Sequence, residues 1–108
     1  MTRADGVIYE VNLEVDLAVA DGYRAWLAGH VAEILRLPGF HGAEVLEVLD
    51  PPPTAGRLGL SVRYRLRDQT ALEGYLREHA PRLRAEGLER WGEAVRIRRR
   101  ILAPARLA

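Results

Sequence analysis

Leu37-Pro38-Gly39-Phe40 is the stretch on which the fold turns, because the hydrophobic period differs on its two sides. Ahead of it, Ala20, Tyr23, Leu27, Val31, Ile34 and Leu35 recur at spacings of three and four, one apolar stripe of a helix over residues 17–37. Pro38 disfavours helical geometry in the residue before it and Gly39 tolerates positive φ, so the helix must stop here. Beyond it, Phe40 to Leu49 has strand character, apolar on both faces at Val45, Leu46, Val48 and Leu49.

Working outward, Val7, Tyr9, Val11, Leu13 and Val15 alternate with Ile8, Glu10, Asn12 and Glu14, the period of a half-buried strand, and Asp16 is placed to cap the helix that follows. On the other side, Pro51 to Pro53 and Gly56 form a hairpin connection. Leu58, Leu60, Val62, Tyr64 and Leu66 then alternate with Gly59, Ser61, Arg63 and Arg65. Asp68 or Thr70 opens a second helix over residues 69–91, with Thr70 and Glu73 fitting a capping box. Its stripe is Leu72, Leu76, His79 and Leu83, and Pro81 is expected to kink it. Val95, Ile97 and Ile101 alternate with Arg96, Arg98 and Arg100 in a fourth strand, and residues 103–108 form a tail.

Two strand–helix–strand units joined by a hairpin predict an α+β, ferredoxin-like βαββαβ domain over residues 1–108. Its antiparallel sheet has the order 4-1-3-2, with both helices on one face. That order sets Glu10 and Glu14 on a middle strand between Arg63 and Arg65 on one side and Arg96, Arg98 and Arg100 on the other. Opposite charges on neighbouring strands attract, so the sign pattern supports it.

Bulk properties narrow the function. The net charge of +1 lacks the basic surplus of a nucleic-acid binder, and Arg98-Arg99-Arg100 is too short a run to supply one. All 16 basic residues are Arg, a codon habit of GC-rich genomes that weakens any single Arg as a signal. No apolar run reaches the roughly 18 residues of a membrane span, and Met1 to Asp5 lack a signal peptide's apolar core. The absence of cysteine excludes disulfide and thiolate chemistry and fits a cytoplasmic protein.

The helix ending in Leu37-Pro38-Gly39-Phe40, the Asp50-Pro51 loop and the Thr70-Ala71-Leu72-Glu73 helix start together resemble the dimeric α/β-barrel superfamily of antibiotic-biosynthesis-type monooxygenases and haem-degrading enzymes. Val7 to Val11 and the stretches Glu78 to Pro81 and Leu88 to Gly92 are similar to a bacterial family, domain of unknown function 4286. The resemblance implies a homodimer with two sheets face to face. The interface would carry Ile8, Glu10, Asn12, Glu14, Leu46, Val48, Arg63 and Arg65. It also implies a ligand site in the cleft between helices and sheet. The Asn, Trp and His set of the haem-degrading members is not reproduced, since Asn12 points away from the helices and the third strand ends in Tyr64-Arg65-Leu66.

For that cleft the candidates are His79, Tyr9, Tyr64 and Arg99. His79 sits in an apolar helix stripe, where an imidazole either binds a ligand or fills the core. Arg99 falls where Ile97 and Ile101 predict a core residue. It therefore needs an acid, a bound anion, a bulge or the edge of the sheet. His30 and His41 lack metal-ligand spacing, so neither a metal centre nor another cofactor is expected. Three functions compete: a homodimeric module binding a small molecule or partner in the cleft, a cofactor-independent monooxygenase or isomerase, and a purely structural dimerisation module.

Overall fold

In the computed structural model, which describes residues 6–107, the alternating segments become four strands: β1 (Val7–Asp16), β2 (Phe40–Glu47), β3 (Arg57–Leu66) and β4 (Val95–Leu102). The helices are α1 (Ala20–Ile34), α2 (Gln69–Glu78) and α3 (Ala80–Trp91). The expected strand order is found, read from the other edge as β2-β3-β1-β4, with every pair antiparallel. The architecture is ferredoxin-like. Residues 1–5 and the last residue of the tail lie outside the described residues.

Register explains the charge pattern. Glu10 stands opposite Arg63 on β3 and Arg100 on β4, and both guanidiniums reach its carboxylate, at 3.0 and 2.7 Å. Glu10 is 1% exposed, while Arg63 and Arg100 keep 41% and 62% of their side-chain exposure. The two arginines thus roof a carboxylate that would otherwise be wet, and Asn12 donates a third bond at 2.8 Å. Burial would push the Glu10 pKa up, but the bonds from Asn12, Arg100 and Arg63 and the Arg100 charge outweigh it and hold it below the ordinary value.

The turn at Pro38-Gly39 works through Gly39, whose φ is 87°. A Cβ there would lie 2.5 Å from Cβ of Ala71, so both backbone conformation and space require glycine. The Gly39 carbonyl accepts from the amide of Arg67 at 2.8 Å, pinning the turn to the end of β3. The ladder of β2 with β3 is irregular between Phe40 and Gly42. The extra residue lets Phe40, Ala43 and Val45 all face the helices, although Phe40 is out of alternation with the other two.

Four local expectations are corrected. Asp16 makes no capping bond; it is still in β1 opposite Arg57, with which it pairs at 3.2 Å, and a short 3-10 turn at Leu17–Val19 precedes α1. Thr70 does not cap α2, because Asp68 accepts from the amide of Ala71 at 2.8 Å. The second strand stops at Glu47, and the amide of Val48 then bonds the Gly59 carbonyl at 2.9 Å. Residues 69–91 are not one kinked helix. They break at His79 (φ −122°, ψ −37°), and Pro81 sits in the first turn of α3, where its missing N–H has no helical partner to lose.

The core lies between the helices and one sheet face. It takes Val7, Tyr9, Leu13 and Val15 from β1, Val62, Tyr64 and Leu66 from β3, Tyr23, Leu27 and Ile34 from α1, Leu72 and Tyr75 from α2, and Leu83 from α3.

Candidate ligand cavity

One helix-facing residue of the central strand breaks the burial pattern. Val7, Tyr9, Leu13 and Val15 are buried, but Val11, in the middle, is only half-buried. Val11 forms part of the floor of a cavity of about 250 Å³ between the sheet, α1 and α3. Its cross-strand neighbours are Val62 on β3 and Arg99 on β4, and both line the same cavity.

The walls are aromatic. All four tyrosines of the chain, Tyr9, Tyr23, Tyr64 and Tyr75, line the cavity together with Trp26 and Trp91. Two groups of rings meet there. Tyr9 lies 6.1 Å from Tyr64 and 5.7 Å from Tyr75, and Phe40 braces both partners from behind at 5.7 and 5.1 Å. On the helix side, Tyr23 packs 5.5 Å from Trp26 and 5.2 Å from Trp91, tying α1 to the end of α3. These offset and edge contacts are favourable and fix the rings around the hollow.

The phenols of Tyr23, Tyr64 and Tyr75 are held in their neutral form. Burial pushes Tyr23 up to about 12 against a pull from the Arg99 guanidinium. Burial and the Tyr9 phenol push Tyr75 to about 12, with Arg84, Arg99 and Arg82 opposing. Tyr64 is raised further by burial, then by its tyrosine neighbours. Among the described residues the hydroxyls of Tyr23, Tyr64 and Tyr75 have no hydrogen-bond partner, whereas Tyr9 accepts from Nη2 of Arg84 at 3.0 Å. His30 lines the cavity with its ring stacked 4.5 Å from Trp26. Burial lowers its pKa despite Glu33 and Glu86 nearby, so its imidazole is a neutral base at neutral pH.

Of the expected site residues, Tyr9, Tyr64 and Arg99 line this cavity and His79 does not. The stripe that aimed His79 at the sheet assumed one continuous helix, and the break at His79 turns it into the joint. His79→Ala is therefore expected to leave probe binding in the cavity unchanged and to cost less than about 1 kcal/mol in urea denaturation. Arg99 sits in an unbroken ladder with β1, so no bulge returns it to the polar face. Tyr23, Trp26, His30, Tyr75, Arg84 and Trp91 were not singled out as ligand residues. The spacing of Tyr23, Trp26 and His30 along one side of α1 was a signal for three of them.

The residues expected at a dimer interface lie on the other sheet face, which no helix covers. Ile8, Glu10, Asn12 and Glu14 alternate with the core side of β1, and Arg63 and Arg65 stand beside them on β3. Leu46 pairs with Ser61 and is 39% exposed, and Val48 lies just past β2. Ser61 is buried among them, its hydroxyl without a partner among the described residues. Glu14 accepts from the amide of Thr54 at 2.9 Å, so this face also holds the proline-rich connection in place.

A ferredoxin-like sheet with a tyrosine-lined hollow under its helices is the class that fold and cavity define. The chain belongs to the family described as domain of unknown function DUF4286, whose model matches residues 6–105. Among solved structures it is similar to SnoaB, a cofactor-independent oxygenase from Streptomyces nogalater, at 18% identity over 95% of this chain and 96% of that one, with a TM-score of 0.69. It is similar to an ethyl tert-butyl ether d (EthD) family protein from Bacillus halodurans C-125, at 12% identity, 92% and 99% coverage and a TM-score of 0.65. It also resembles the de novo designed protein Foldit4, at 17% identity, 94% and 100% coverage and a TM-score of 0.61. Among curated proteins, none matches the chain in sequence. At these identities the likeness is one of fold, and this fold hosts many functions. No helix among the described residues is long and apolar enough to cross a membrane.

Proposed function

We propose that the protein binds a small organic molecule in the cavity over Val11, and that it does so as a homodimer joined through the uncovered sheet face. The observation that carries the first part is the half-buried Val11 at the centre of an otherwise buried helix-facing row of β1, under a cavity lined by tyrosine and tryptophan rings. An apolar hollow with a few polar groups is what a binding site requires. An engineered cavity of about 150 Å³ takes benzene, so about 250 Å³ suits one or two fused rings. Support for the dimer is the exposed Leu46, with Val48 beside it and Ile8 elsewhere on the same face, whose central charge, Glu10, is already neutralised within the chain. A partner sheet would dry these apolar groups without stranding a carboxylate.

His30 favours a second reading, cofactor-independent oxygenation, the activity named for the Streptomyces nogalater structure. A neutral imidazole inside an aromatic cavity is a base able to take a proton from an acidic substrate. Binding is tested with 1-naphthol, followed through the fluorescence of Trp26 and Trp91. Val11→Phe, which places a ring on the cavity floor, is expected to weaken binding at least about tenfold, or 1.4 kcal/mol. Unchanged affinity in the folded variant would overturn the assignment of the site.

A further inference from the structure

We propose that the ligand of this cavity is an aromatic organic acid whose anionic group is held between Arg84 and Arg99, an inference that rests on the binding function just argued. The cavity lining contains no aspartate or glutamate, and Arg84 and Arg99 are its only arginines. Neither has a carboxylate partner among the described residues. Arg82, two residues away on α3, projects from a different side of the helix. Arg82 pairs with Glu33 at 3.3 Å and Glu86 at 3.0 Å, and neither acid bonds Arg84. Arg84 spends one donor on the Tyr9 hydroxyl, which aims it across the cavity, and a guanidinium has five donors.

Arg99 approaches from the opposite side. It projects from the helix-facing side of β4, between Ile97 and Ile101, where a third aliphatic side chain would complete the alternation. Arg99 stands opposite Val11 on β1, and Arg84 bonds the hydroxyl of Tyr9, the next helix-facing residue of that strand, so both line the same part of the hollow. Two planar forks beside an aromatic slot are complementary to a carboxylate on a flat ring: the ring stacks among the tyrosines and the oxygens accept charge-assisted bonds. Both arginines are exposed and hydrated when the cavity is empty, so an anion beside them adds attraction that a neutral ligand forgoes.

The test compares 1-naphthoate with its neutral amide, 1-naphthamide, by titration calorimetry. The acid is expected to bind about tenfold tighter or better, with the advantage shrinking as salt is raised. In the Arg84→Gln/Arg99→Gln double variant, acid and amide should come within about twofold. Arg99→Gln alone, at a side chain that makes no bond to the described residues, should remove at least about threefold of the preference. If the amide binds the wild type as tightly as the acid, or the variants keep the preference, the anionic end is wrong while the cavity remains a binding site. If 1-naphthol, acid and amide all fail to bind, the binding function falls and this inference with it.

Discussion

Tyr64→Ala is expected to destabilise the protein by about 3–5 kcal/mol, and Tyr64→Phe by less than about 1 kcal/mol. The ring is 2% exposed on the central part of the sheet and touches both Tyr9 and Phe40, so its removal leaves a void that the surrounding rings cannot fill. The hydroxyl, by contrast, has no partner among the described residues, and deleting a group that makes no bond loses little. Urea denaturation of the two variants separates ring from hydroxyl. A Tyr64→Phe cost as large as that of Tyr64→Ala would mean that the hydroxyl is bonded in the fold and that this wall of the cavity is structural.

The second large effect lies at high pH. A buried phenol whose folded pKa is raised favours the folded state while protonated. Its contribution is whole below the unfolded value near 10 and disappears as pH rises through the folded value. For Tyr23 and Tyr75 that window runs from 10.0 to about 12, and Tyr64 extends it upward. A shift of this size corresponds to about 2–3 kcal/mol per tyrosine, so together they rival the roughly 5–15 kcal/mol stability of a small domain. Phenolate absorbance is therefore expected to rise for these three tyrosines only as the helical circular dichroism is lost. Free ionisation of Tyr23, Tyr64 and Tyr75 near pH 10 with the fold intact would show that the hollow is wet and open.

Sequence made the sheet legible because each strand carries a clean alternation, and the charge signs on Glu10, Arg63 and Arg100 added the neighbour order. The same alternation located Tyr9, Tyr64 and Arg99 on the helix side. It failed at His79, because a histidine in an apolar stripe followed by Pro81 fits a kinked helix and a broken one equally well, and only the tertiary contacts decide. Asp16 failed for a related reason: its partner Arg57 is 41 residues away, and a distant ion pair competed successfully with a local cap. The cavity itself was out of reach. Periodicity says which residues face inward, whereas a hollow is a matter of how far apart Trp26, Trp91 and Tyr23 hold the helices.

Native mass measurement of the protein purified from its own cells tests the central claim most directly, since it reads stoichiometry and retained ligand together. The account predicts a dimer carrying the mass of a one- or two-ring organic acid, lost from Val11→Phe and weakened in Arg99→Gln. A bare chain that stays bare when 1-naphthoate is added would contradict it.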